Sequence, residues 1–195
     1  IDGIAVAPFP FDGWLLGPAM RIDLAVRAPG AGQGARLVDR RGPEPLVLAS
    51  LEGTGEAPAA TPFDPRPLRA GRIPVPELAA AETLAFDFAA GAGTLPDGAE
   101  AGGLIGAICV SSEDFWTING VGWPGRDHAR IPAPLAVLQR GRSYRVRLRN
   151  LGRIAHPIHI HGHSFTVLRS DQRALPVHHA DTVLLLPDET VDAAF

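Results

Sequence analysis

Apolar and polar residues alternate in short runs along this sequence, and glycine or proline interrupts nearly every run. With 22 glycines and 19 prolines in 195 residues, long helices are excluded, because each of these residues breaks the helical ladder. The alternation instead has the period of two that marks a half-buried strand. Ser143 to Arg149 is the clearest case. Tyr144, Val146 and Leu148 are predicted to face a core, and Arg145, Arg147 and Arg149 to face water. The arginine row could hold an anion, but a solvated strand face explains it more simply. Met20 to Arg27 alternates in the same way, with Met20, Ile22, Leu24 and Val26 apolar. Leu84, Phe86 and Phe88 form another such run, and further short strands are predicted around Phe165–Leu168, Val183–Leu186 and Val191–Phe195. Turn residues separate them, at Gly17-Pro18, Pro29-Gly30, Pro124-Gly125, Asn150 and Pro187-Asp188. Many short strands with this punctuation predict an all-β sandwich or barrel.

The 46% apolar content suffices for a packed core and excludes a disordered chain. A net charge of −3 gives no basic footprint for nucleic acid. All 18 basic residues are arginine. No apolar run approaches the ~20 residues of a membrane helix, so membrane insertion by a helix is not expected. The single cysteine, Cys109, rules out a disulfide framework or a CxxC site within these residues.

Residues 54–81 differ from their surroundings. They are rich in proline and alanine, with Pro58, Pro62, Pro65, Pro67, Pro74 and Pro76, and poor in large apolar residues. They read as an extended linker, with Glu77 to Glu82 a candidate helical turn. The chain is thereby divided into 1–53, the linker, and 82–195. The first piece is too small for a sandwich of its own. It opens on an apparent Asp2-Gly3 turn, and the last residues read as a strand entered but not left. Both ends are expected to be cut from something longer.

Four of the seven histidines fall between 156 and 163, in His156-Pro157-Ile158-His159-Ile160-His161-Gly162-His163. On a strand, His159, His161 and His163 could share one face, with Ile158 and Ile160 turned to the core. Pro157 favours a strand start or edge and could let His156 leave the parity of the others. Gly162 adds backbone freedom. A chance surface cluster would not be interleaved with isoleucine. Closely spaced neutral imidazoles on a stiff strand suit copper, zinc, iron or nickel. The zinc-protease HExxH pattern is absent, no glutamate follows the His-x-His as a cupin-type site requires, and the CxxC of zinc deaminases is lacking. His178 and His179 are expected on a surface loop, as is His128.

At these histidines the chain resembles the multicopper oxidases, the laccase-like enzymes, whose HPxHxHGH motif matches His156 to His163. Phe115-Trp116-Thr117-Ile118-Asn119-Gly120 resembles the family's entry into its third domain. Asp181-Thr182-Val183, Pro187 and Glu189-Thr190-Val191 resemble its downstream DTVxxxPxETV segment. Asp2-Gly3, Pro8, Gly17-Pro18 and Arg21 to Leu24 resemble the end of its second domain. Support is weakest between about residues 55 and 110.

The resemblance implies cupredoxin-like Greek-key β-sandwich domains, incomplete at both ends. Residues 1–53 would be the C-terminal part of one, and 82–195 a copper-binding one lacking its last strands. It implies His156 as a ligand of type 1 copper, His159 of type 2 and His161 of one of the type 3 pair. His163 would support a ligand rather than be one. It further implies a small phenolic-type electron donor, O2 as acceptor, and an extracytoplasmic location, periplasmic or secreted. A type 1 site needs a thiolate and a second histidine. Cys109 has no histidine beside it and reads as a buried or incidental thiol. Residues 1–195 therefore cannot close either site, and alone are expected to be inactive. A non-catalytic copper-binding module is the rival reading, followed by a cuprous-ion oxidase or a nitrite-reductase-like protein. The single methionine, Met20, speaks against the methionine-rich cuprous oxidases.

A partial sandwich exposes strand edges that tend to aggregate. Residues 1–195 alone are thus expected to be poorly stable unless they dimerise or regain missing segments of the same protein. A cooperative melt of a purified monomer at ordinary temperatures contradicts this.

Overall fold

The computed structural model describes residues 1–55, 62–66, 68–69, 71, 73–90, 116–122 and 131–195. Among them are eleven strands and no helix. They are β1 (Gly34–Asp39), β2 (Leu46–Glu52), β3 (Glu82–Ala90), β4 (Trp116–Ile118), β5 (Val121–Gly122), β6 (Tyr144–Asn150), β7 (His156–His159), β8 (Phe165–Ser170), β9 (His178–Ala180), β10 (Thr182–Leu185) and β11 (Thr190–Ala194).

The chain forms two compact units, one of Asp23–Pro67 and one of Ile1–Ile22 with Leu68–Phe195. The first holds the antiparallel hairpin β1–β2, with Gly34 opposite Glu52 and Asp39 opposite Leu46. Gly53 ends it where a side chain could not fit, since a Cβ there would lie 2.1 Å from the Gly30 carbonyl oxygen.

In the second unit, seven strands form one sheet in the order β5-β4-β3-β6-β11-β8-β9, and β10 with β7 forms a second. Strands β3 and β6 run parallel, and the other pairs are antiparallel. The chain passes from β6 to β7 in the other sheet, returns through β8 and β9, and crosses again at β10. Strand β11 then slots between β6 and β8, the crossing order of a Greek-key sandwich. One core joins the sheets. Val146, Leu148, Phe165, Val167, Val191 and Ala193 from the larger sheet meet Val183 and Leu185 from the smaller, with Phe86, Phe88, Ile158 and Ile160 packed around them.

Strand β6 has the expected alternation. Tyr144, Val146 and Leu148 are buried, and two of the outward arginines are neutralised across the sheet. Arg147 and Arg169 both reach Asp192, at 2.9 and 2.7 Å, and Arg149 holds Asp87 on β3. Those two arginines thus belong to cross-strand ion pairs, the strand-face reading rather than an anion site. Asn119 and Gly120, both at positive φ, make the β4–β5 turn. The Asn119 side chain accepts the Asp87 N–H and donates to the Ala85 carbonyl.

Three local expectations differ from the structure. Met20–Arg27 forms no strand; the Arg21 backbone is instead engaged by Asp2, whose N–H donates to the Arg21 carbonyl at 2.8 Å. Leu78 and Ala79 form a turn where a helical turn was expected. The compact units also cross the boundaries that composition suggested at 53/54 and 81/82. Ile1–Ile22 joins the later strands because the buried Asp2 bonds to Asp181 and Thr182. Gly17 also lies so close to Leu184 that a Cβ would come within 2.8 Å of it.

Glu189, buried just before β11, ties the far end of the unit together. Its carboxylate accepts from Ser170, from Arg173 Nε at 2.7 Å and from the Leu186 N–H at 2.6 Å. Arg173 in turn donates to the Leu184 carbonyl at 2.6 Å. Removing one partner of a buried pair strands the other charge, at a cost of about 3–5 kcal/mol. Glu189→Ala is therefore expected to lower the unfolding free energy by about that much in urea titration.

Candidate metal centre

Strand β7 is four residues long and pairs antiparallel with β10. His156 lies opposite Leu185, Ile158 opposite Val183 and His159 opposite Thr182. Strand alternation places His156 and Ile158 on the inward side and His159 on the outward side. Pro157, lacking an N–H, sits in this two-stranded ladder, as expected for a proline in a strand with an open side.

His156 is half-buried between aromatic rings. Trp116 meets it edge-on at 4.8 Å between centroids, and Phe88 lies at 6.3 Å. Burial pushes its pKa below the ordinary histidine range and so favours the neutral ring. Its Nε2 is buried and has no hydrogen-bond partner among the described residues. A buried polar nitrogen without a partner costs about 1–3 kcal/mol, and a metal ion would satisfy it.

His159 is oriented from the other side. Its Nδ1 lies 2.7 Å from the Asp181 carbonyl oxygen and 3.3 Å from Thr182 Oγ1. A carbonyl only accepts, so Nδ1 carries the proton. Nε2 then presents a lone pair, the arrangement found at histidine ligands of metals. The Asp181 carboxylate is itself held by Arg21 at 2.7 Å and by the Thr182 hydroxyl at 2.7 Å. The Arg21 guanidinium keeps it below the usual carboxylate range.

The strand ends at His159, so His159, His161 and His163 do not share one strand face. Ile160 to His163 is a turn, closed by the His163 N–H on the Ile160 carbonyl at 3.2 Å, with Gly162 at φ +76°. This is the type II geometry that requires glycine at its third position. The turn still brings His161 to His159, with ring centroids 5.0 Å apart. His163 is folded back, with Nδ1 3.2 Å from the His161 carbonyl and its ring 5.2 Å from Phe195.

The other histidines are differently placed. His178 was expected on a surface loop but is buried on β9. It donates from Nδ1 to the Pro176 carbonyl at 2.7 Å, and its ring meets Trp14 in a T-shaped pair with centroids 5.6 Å apart. His179, on the same strand, meets Thr166 Oγ1 at 3.0 Å. His128 and Cys109 lie outside the described residues. Among the described residues no three His, Cys, Asp or Glu side chains gather to enclose a metal alone. His156 and His159 each leave one ring nitrogen without a hydrogen-bond partner among the described residues, which is the chemistry a metal ligand needs. Reading the sequence for ligands missed Asp2, Arg21 and the Asp181 carbonyl. Asp2 signalled only a turn, and a main-chain oxygen leaves no residue-type signal.

The described residues form an all-β sandwich of the cupredoxin kind, with histidines on both faces of one strand. Residues 110–195 match the family described as multicopper oxidase. Over 194 residues the chain is 29% identical to multicopper oxidase MmcO of Mycobacterium tuberculosis, covering 98% of this chain and 34% of that protein. Its fold superposes on the multicopper oxidase of Pseudomonas thermotolerans with a TM-score of 0.74 at 35% identity, covering all of this chain and 41% of that one. For the multicopper oxidase of Pseudomonas parafulva the values are 0.71 and 32%, covering all of this chain and 42% of that one. These matches support a partial multicopper oxidase chain, which spans about a third to two fifths of the length of these relatives.

Gly162 is the local requirement of this arrangement. Gly162→Ala puts a Cβ at left-handed φ and is expected to cost roughly 1–2 kcal/mol of stability. A urea titration unchanged within about 0.5 kcal/mol would contradict that.

Proposed function

We propose that this chain carries part of the copper-binding machinery of a laccase-like multicopper oxidase. In that reading, one-electron oxidation of small phenolic-type donors at a type 1 copper is coupled to four-electron reduction of O2 to water at a trinuclear cluster. The observation that carries the proposal is the display of His156 and His159 on opposite faces of one four-residue strand. Bound copper supplies the one-electron chemistry and the reduction of O2. The chain's own part is to hold the ligands. His156 offers Nε2 to the type 1 site from within an aromatic, desolvated pocket that favours its neutral form. His159 offers Nε2 to the type 2 site, and its Nδ1 proton is pinned on the Asp181 carbonyl. His161, turned beside His159, serves a type 3 copper. His163 closes the turn that places His161. The extracytoplasmic location, periplasmic or secreted, belongs to the same proposal.

The roles separate under substitution. In the copper-loaded enzyme, His156→Ala is expected to abolish the intense blue absorption while largely sparing copper in the cluster. His161→Ala is expected to keep the blue colour but block O2 consumption with a phenolic donor. The reverse pattern refutes the assignment.

A further inference from the structure

Asp2 lies far from the histidines in sequence, yet it shares a single peptide unit with one of them. Its side chain is fully buried. Oδ2 accepts the N–H groups of Asp181 and Thr182, each at 3.2 Å. Oδ1 accepts the Arg21 N–H at 2.8 Å. The Thr182 N–H and the Asp181 carbonyl belong to the same peptide group and point in opposite directions across a trans bond. The carbonyl end of that group is the acceptor 2.7 Å from His159 Nδ1. A continuous line therefore runs from the Asp2 carboxylate, through one peptide plane, to the His159 ring.

The physical consequence follows from polarisation. Donating an N–H to a buried carboxylate shifts electron density toward the carbonyl oxygen of the same peptide, so hydrogen bonds in series strengthen one another. The Asp181 carbonyl becomes a better acceptor for the His159 ring. The Asp2-Gly3 turn, with both residues at positive φ, directs the carboxylate inward. Arg21 secures it by donating from Nη2 to the Asp2 carbonyl at 2.9 Å.

We propose that Asp2 is a positioning residue for His159, fixing the Nδ1–H tautomer and the ring orientation through the 181–182 peptide group. The tautomer is a property of the metal-free chain. The bearing on copper rests on the ligand role given to His159 above.

Imidazole nitrogen–proton NMR correlations on the metal-free full chain read the tautomer directly, and hydrogen exchange reads the Thr182 amide. The native chain is expected to show His159 as the Nδ1–H form, with a Thr182 amide exchanging far more slowly than turn amides. Asp2→Asn, which keeps the volume but loses the charge, is expected to give a mixed tautomer. Arg21→Gln, which leaves the carboxylate–peptide contact in place, is expected to keep the Nδ1–H form. An Nε2–H tautomer or a fast Thr182 amide in the native chain overturns the proposal, and this arm needs no variant to fold. An unchanged tautomer in a folded Asp2→Asn variant also overturns it. Copper titration then addresses the ligand role separately. There, Asp2→Asn is expected to weaken binding at the His159 site about 10-fold or more. A tautomer change with unaltered copper affinity upholds the positioning role and counts against His159 as a ligand.

Discussion

The pairing of β7 with β10 is the interaction on which the histidine arrangement rests. Strand β7 has only four residues and no other ladder partner among those described. Such a short strand has little stability of its own. It is held because Ile158 and Ile160 enter the core and because β10 is itself anchored. Val183 and Leu185 are buried, and Thr182 and Asp181 hang on Asp2 at one end. Arg173 takes the Leu184 carbonyl at the other. Strand β10 is therefore a fixed rail against which the register of β7 is set. A slip of one residue would exchange the inward and outward faces of every side chain, turning His156 out to solvent and Pro157 in.

Against that background the two histidines of β7 are satisfied to different degrees. The nitrogen of His159 that meets the protein has its partner at 2.7 Å. His156 Nε2 is buried with none among the described residues. Folded chains satisfy nearly all their buried polar atoms, and local departures from that rule concentrate at functional sites. The aromatic surroundings of His156 make the departure costlier, because the nitrogen is shut away from water in a site packed with the Phe88 and Trp116 rings. The same surroundings favour the neutral ring, and a neutral imidazole is the form that ligates. Under the proposed ligand role, the desolvation that penalises the unpartnered nitrogen favours its bound form.

How much of this could be read in the sequence depended on the range of the forces involved. The alternation in Tyr144–Arg149 predicted β6 correctly, because burial on one face leaves a period-two trace within a single strand. The same trace at Met20–Arg27 misled. Alternation records which side chains are apolar, but a strand also needs a partner for its backbone, and Asp2 occupies the Arg21 main chain instead. The four clustered histidines pointed to one place, and β7 lies there. The strand's early end did not follow from spacing alone, although Gly162 at φ +76° explains it in retrospect. His178 was expected at the surface because a histidine pair beside a turn looks polar. Its burial depends on the distant Trp14 and on one backbone acceptor, Pro176. The Asp2 contact was the least legible of all, since it joins residues about 180 positions apart through main-chain groups.

The opposed faces of β7 also limit how the two proposed centres can vary independently. Three residues of extended chain separate His156 from His159 by roughly 10 Å, and the path between them is covalent and hydrogen-bonded to β10. A change that moves one histidine along the strand must move the other. A change confined to the carbonyl at Asp181 or to the rings around His156 can alter one site alone. The sandwich thus fixes the spacing between the two histidines through the backbone, while separate neighbours set the environment of each: aromatic and desolvating for His156, polar and hydrogen-bonding for His159. A strand suits this division because its two faces meet different surroundings at adjacent positions. A helix would need three or four residues to return to one face and would present each ligand among more of its own side chains.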